Sequence, residues 1–142
     1  MTMGIDEKIK LVGVISDEVG EPRNDGTRGS ALYAVPFRLS GTPSATWVRV
    51  FVETWNSPPR FTSMHRPGIA QVSGNKIILD KTTIDEVERY HIDTLKLAVA
   101  EANKVTEQEE RKSRQRTTAE DERRQQHQQH IAEVAKRLKF ED

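Results

Sequence analysis

Histidine is the side chain best suited to acid–base chemistry near neutral pH, and the sequence contains four: His65, His91, His127 and His130. His65 lies in a proline-rich stretch, with Asp80 further along the chain, so it is the one candidate for a general acid or base. The sequence places no nucleophile beside it. His91 falls on the apolar face of a predicted helix, which indicates a hydrogen-bonded histidine at the boundary of the core. We therefore predict no catalytic residues and no enzyme activity.

Metal and cofactor sites are not indicated either. His127 and His130 are three residues apart, but glutamines surround them and no third ligand is near, so we predict a solvated helix face. The absence of cysteine excludes disulfides and thiolate metal sites. The glycines between Ser16 and Ser30 do not follow a strand-to-helix phosphate pattern. We predict no metal and no cofactor.

Both tryptophans of the chain lie in Ala45 to Trp55, ATWVRVFVETW, together with Phe51 and Arg49. Alternation with a period of two predicts a strand here, with Val48, Val50 and Val52 on one face. Tryptophan, phenylalanine and arginine are common interface anchors, so we predict that the other face, with the loop after it, binds a partner. The predicted contact residues of this region are Trp47, Arg49, Phe51, Trp55, Arg60, Phe61 and Arg66.

Three kinds of cover for this aromatic face remain open from the sequence. The loop at 56–72 could fold over it through Phe61, Met64 and Ile69. A protein partner could bury it. Single-stranded nucleic acid could stack its bases on the rings, with nearby cations facing the phosphates.

The remaining elements predict an α+β fold. Strands are expected at Lys8–Ser16, Ala31–Leu39, Ile69–Val72 and Lys76–Leu79, and Ser73–Gly74–Asn75 suits a hairpin turn. Pro36 is expected at a sheet edge or a bulge. The clearest helix is Thr82 to Val105, where Thr83 and Glu86 have capping-box spacing. We predict a small antiparallel sheet of four or five strands packed on one long helix.

The last third of the chain has a different composition. Thr106 to His130 contains almost no apolar residue, but acidic residues precede basic ones at i,i+4, which favours a solvated helix. Ile131, Val134 and Leu138 then follow helical spacing, with Lys136, Arg137 and Lys139 beside them. These three apolar residues complete the predicted partner-binding set. We predict an α+β domain at 1–105 and a helical extension at 106–142 that ends in a docking segment.

Charge and apolar content narrow the function classes. Lys and Arg total 22, as do Asp and Glu, so the chain has no net basic charge for nonspecific binding to phosphates. No apolar run is long enough to span a membrane, and the N-terminus does not resemble a signal peptide, so we expect a cytoplasmic protein. We predict a non-catalytic interaction or assembly module, either self-associating or a small subunit of a larger complex. Single-stranded nucleic-acid binding is the alternative.

Overall fold

The computed structural model describes residues 8–140, and its centre is one four-stranded antiparallel sheet in the order β1-β2-β4-β3. This confirms the predicted α+β class. β1 pairs with β2, β2 with β4, and β3 with β4 in a hairpin through Gly74. The strands are β1 (Leu11–Val14), β2 (Tyr33–Leu39), β3 (Ala70–Ser73) and β4 (Lys76–Thr82).

Strand β2 lies inside the sheet, between β1 and β4. Val35, Phe37 and Leu39 alternate along it and are all buried, as their period of two predicts. The expected edge position of Pro36 is therefore wrong. The proline carbonyl accepts a hydrogen bond from the Ile15 N–H at 3.0 Å, and the β2–β4 register shifts between Tyr33 and Val35. An irregular ladder accommodates a residue that has no N–H to donate.

Helix α1 (Ala45–Asn56) occupies the segment that was predicted to be a strand, so that prediction is wrong. The hydroxyl of Ser44 accepts a hydrogen bond from the Trp47 N–H at 3.2 Å, which caps the helix N-terminus. Trp47, Phe51 and Trp55 recur every fourth residue, and this spacing places all three rings on one helix face. The same residues fit a period of two, which would put Arg49 and Glu53 on the face of the rings, whereas the helix places this pair on its exposed side.

The second helical segment begins where the sequence predicts and continues far beyond Val105. It comprises α2 (Ile84–Glu86), a π-helical turn (Val87–His91) and α3 (Ile92–Arg137). The Thr83 hydroxyl accepts from the Glu86 N–H at 3.1 Å, which is half of the predicted capping box. The buried residues of this segment are Val87, His91, Thr94, Leu95, Ala98, Val99 and Ala102. The π-helical turn had no signal in the sequence.

The chain divides into two compact units between Glu107 and Gln108. The N-terminal unit holds the hydrophobic core, which combines the sheet, α1 and the buried residues of the second helical segment. The C-terminal unit begins at Gln108 and contains the rest of α3, in which residues 111–133 are all exposed. None of the helices in the described part of the chain combines the length and apolar character needed to cross a membrane.

Candidate functional site

The tryptophans and Phe51 are core residues rather than surface anchors. Trp47 is 1% exposed, and Phe51 and Trp55 are 0% exposed. The predicted partner-binding sheet face is therefore wrong for these three residues. Since the segment is a helix, one face carries all three rings into the hydrophobic core, whereas a strand would have offered them to a partner.

The polar atoms of both indoles are satisfied within the chain. The Trp47 Nε1–H donates to Asn103 Oδ1 at 2.9 Å, and the Trp55 Nε1–H donates to the carbonyl of Arg66 at 3.0 Å. The side chain of Asn103 also bonds both the N–H and the carbonyl of Ile9, at 3.0 and 2.8 Å. Trp47 and Phe51 stack with ring centroids 5.4 Å apart. These contacts are typical of a core that specifies its own packing.

The other predicted contact residues of this region have different partners and surroundings. Arg49 lies 3.5 Å from Glu53 on the exposed face of α1. Arg66 is engaged by Glu86 through two hydrogen bonds, at 2.7 and 2.9 Å. Arg60 and Phe61 are exposed, and the Phe61 ring meets His65 edge-on at 5.2 Å. The structure therefore brings these residues into no common binding face.

The loop at 56–72 covers the core only in part. Ile69 is buried in the core, whereas Phe61 and Met64 remain 58% and 39% exposed. The anticipated cover through all three residues is wrong for Phe61 and Met64. The backbone of this loop nevertheless contacts α1, because the Trp55 indole donates to the carbonyl of Arg66.

A histidine–glutamate–arginine cluster lies beside Trp55. The His91 side chain is 0% exposed, and its Nε2 lies 3.6 Å from Glu86 Oε1. Burial lowers the pKa of His91, and the nearby carboxylate only partly offsets this. Hydrogen bonds from Arg66 lower the pKa of Glu86. The Thr82 hydroxyl also donates to this carboxylate, at 3.0 Å.

The predicted acid–base candidate, His65, belongs to the same cluster. Its Nε2 lies 2.7 Å from the carbonyl of Trp55, and burial lowers its pKa. The carboxylate of the cluster is held by Arg66 and Thr82, so it is already occupied by structural partners. Across residues 8–140, no group of three histidine or acidic side chains could hold a metal ion. This arrangement favours a structural role, and the absence of enzyme activity stays a prediction.

Three residues near the end of α3, Ile131, Val134 and Leu138, form an exposed apolar row that we call the terminal stripe. Ile131 is 49% and Leu138 55% exposed, and Val134 is half-buried. The Leu138 N–H donates to the carbonyl of Val134 at 3.1 Å, so a helical turn continues to Leu138. Phe140, which follows, is 88% exposed. This row is a surface of the C-terminal unit that a partner could bury.

A second exposed apolar surface, which we call the edge groove, lies in the N-terminal unit. It has a volume of about 320 Å³ and runs between the edge strand β1 and the start of the second helical segment. Its six lining residues are Val14, Ile84, Asp85, Val87, Glu88 and Ile92. Val14 is 38% and Ile84 41% exposed. No sequence pattern predicted this groove, although Ile84 at the first helical position was an apolar signal.

The long loop between β1 and β2 contributes to a different surface depression of about 550 Å³. Arg23, Arg28 and Lys81 line it, together with Asp80. Lys81 has φ of 63°, a left-handed conformation that is uncommon for a residue with a side chain. All three cations are exposed, and Asp80 offsets part of their charge.

No protein-family model, curated protein or solved structure matches the chain. Within residues 8–140, the terminal stripe and the edge groove are two surfaces where several apolar side chains meet solvent together. Exposed apolar groups of this kind are where soluble proteins bind other proteins.

Proposed function

We propose that the protein is a non-catalytic assembly module whose terminal stripe docks onto a protein surface. The observation that carries this proposal is the exposure of the stripe at the end of a helix in which residues 111–133 are also exposed. The spacing of Ile131, Val134 and Leu138 at i, i+3 and i+7 suits a helix that binds in an apolar groove.

Burial of the apolar area of the stripe provides the favourable free energy for docking. Burying an aliphatic side chain fully is worth about 1.5–3 kcal/mol, so three such side chains supply several kcal/mol toward association. Part of this is offset by the loss of translational and rotational freedom. The cationic neighbours of the stripe, Arg137 and Lys139, favour a partner surface with acidic residues around its apolar centre.

The polar part of α3 supports the same role. A helix that is polar all round gains little from packing and is typical of a segment that connects two contact surfaces. Arg124 and Asp121, 3.5 Å apart, are both exposed, and such a pair adds only about 0.2–0.5 kcal/mol to helix stability. The stripe is thus the main apolar surface that the C-terminal unit offers to another molecule.

The decisive comparison is between Ile131→Ser/Leu138→Ser and a control with two changes on the opposite helix face, Glu133→Ser/Lys136→Ser. We expect the 142-residue chain to purify as an assembly heavier than the 16.2 kDa monomer, either with itself or with a copurifying protein. The stripe variant should lose that mass in light scattering, and the control should keep it. A wild-type monomer without a partner, or an assembly that survives in the stripe variant, contradicts the proposal.

The nucleic-acid alternative lacks the surface on which it was based. It needed aromatic rings that were free to stack on bases, and Trp47, Phe51 and Trp55 are buried. The exposed ring in that region is Phe61. We therefore base no proposal on nucleic-acid binding.

A further inference from the structure

We infer that the partner of the terminal stripe is a second copy of this chain, and that the stripe docks in the edge groove. This inference rests on the proposed function and specifies the partner surface. It joins the two exposed apolar surfaces described above, one from each unit. Each supplies what the other lacks, because one is a row of aliphatic side chains and the other a groove lined with them.

The terminal stripe and the lining of the edge groove are both largely aliphatic. Val14, Ile84, Val87 and Ile92 form the apolar part of the groove, and its volume of about 320 Å³ is that of a small binding pocket. Two of these residues, Val14 and Ile84, are more than a third exposed in the single chain, so docking would remove their area from water. An aliphatic helix face is the occupant that such a groove accepts without unsatisfied polar groups.

The charges are complementary as well. The remaining lining residues, Asp85 and Glu88, are both acidic and exposed. At about 100° per residue, Arg137 lies on one flank of the stripe, and Lys139 directly follows Leu138 in the chain. Lys136 is adjacent in sequence to Arg137, but in the helix it points roughly away from the stripe. A stripe seated in the groove therefore brings cations to the groove's acidic residues, and this pairing selects the orientation.

Every copy of the chain carries one stripe and one groove. If each copy gives its stripe to the other's groove, the result is a closed two-fold dimer.

Single charge reversals at exposed positions test the pairing without disturbing the core. Glu88→Lys sets a cation against Arg137, and Arg137→Glu sets an anion against Glu88. Each should raise the dimer dissociation constant about tenfold at low salt, because a symmetric dimer contains the pair twice. Added salt should reduce the difference. Lys136→Glu is the matched control, since it makes the same charge change away from the stripe, and it should leave the constant unchanged.

Mixing the Glu88→Lys chain with the Arg137→Glu chain identifies the partner. In a mixed dimer, the lysine introduced in one chain's groove meets the glutamate introduced beside the other chain's stripe, and the second interface keeps the native pair. The mixture should therefore dimerise close to wild-type strength in sedimentation velocity, although neither variant does so alone. The double variant Glu88→Lys/Arg137→Glu should recover as well. Circular dichroism of each variant verifies that the fold is retained.

Three results would overturn this inference, and they are distinguishable from a failure of the proposed function. If Ile131→Ser/Leu138→Ser dissociates the assembly but both charge reversals leave it intact, the stripe docks elsewhere and the proposed function survives. If the single reversals weaken the assembly and the mixture does not recover, Glu88 and Arg137 do not pair across two copies. If the wild-type chain is monomeric and no partner depends on residues 131–138, both proposals are wrong.

Discussion

Arg66 and Glu86 form a two-pronged ion pair, with Arg66 Nε 2.7 Å from Glu86 Oε1 and Arg66 Nη2 2.9 Å from Glu86 Oε2. Arg66 belongs to the loop between α1 and β3, and Glu86 to the first turn of the second helical segment. The Arg66 carbonyl also accepts the Trp55 indole N–H. One residue thus connects the loop, α1 and the helix start, and this holds an irregular, proline-rich loop in place.

We expect Arg66→Ala to lower the free energy of unfolding by about 1–2 kcal/mol, because it removes two charge-assisted hydrogen bonds from a partly buried carboxylate. Glu86→Gln should cost less, since the amide keeps part of the shape. Urea denaturation of both variants and of Arg66→Ala/Glu86→Gln gives the coupling energy of the pair, which we expect to be about 1 kcal/mol.

The Lys76–Glu18 pair is a matched control, with a similar distance of 2.7 Å but a single contact and more solvent exposure. Its coupling energy in the same kind of cycle should stay below about 0.5 kcal/mol. Equal coupling energies in the two cycles would show that the two-pronged geometry of Arg66 adds nothing to the stability of its ion pair.

The buried His91 makes stability depend on pH. Burial lowers its pKa in the folded chain below the ordinary value of 6.5, so the unfolded chain binds the proton more readily. Stability is therefore fully present above about pH 6.5 and falls as the pH drops below it, by at most about 1.4 kcal/mol for each pH unit.

Urea denaturation at several pH values between about 7 and 5 measures this dependence. We expect His91→Gln to flatten the slope, whereas His65→Gln should change it less because that ring is partly exposed. An unchanged slope in His91→Gln would assign the acid sensitivity to other groups. A direct NMR titration should place the pKa of His91 below its ordinary value.

Substitution of the core tryptophans separates a buried helix from an exposed binding surface. Trp47→Ala and Trp55→Ala should each lower the free energy of unfolding by about 3–5 kcal/mol, because each leaves a cavity beside the sheet. Phe61→Ala, at an exposed ring, should cost less than about 1 kcal/mol. The measurement is again urea denaturation, with near-ultraviolet circular dichroism as a test of packing.

Tryptophan fluorescence provides the opposing test. Buried indoles should emit at short wavelength, resist iodide quenching and show no response to labelled single-stranded DNA at low salt. Strong quenching by iodide, or a DNA-dependent change that disappears in Trp47→Ala, would indicate accessible rings and would restore the nucleic-acid hypothesis.

Local sequence signals predicted an element correctly where they were compatible with only one type of secondary structure. The alternation of Val35, Phe37 and Leu39 identified β2, and Gly74 marked the hairpin between β3 and β4. Thr83 and Glu86 located the helix start. These signals work because backbone capping, turn geometry and the period of buried side chains are determined by neighbours in the chain.

The segment from Ala45 to Trp55 shows where local signals are insufficient. Its valines alternate like a strand, while Trp47, Phe51 and Trp55 recur like a helix, so two periods fit the same residues. The strand prediction made no use of Ser44, whose hydroxyl caps the helix N-terminus in the structure. Packing decided the outcome, because both periods put the three rings on one face, but only the helix moves Arg49 and Glu53 off that face.

By itself, the sequence determined an antiparallel α+β fold, a capped helix start and an apolar-basic row at Ile131, Val134 and Leu138. Only the tertiary structure decided that the tryptophans are internal, that Arg66 meets Glu86, and that an acidic-rimmed groove lies beside β1. The physical reason is the separation along the sequence of the residues that make each contact. Periodicity and caps report contacts within a few residues, whereas burial, ion pairs and grooves arise where distant segments meet.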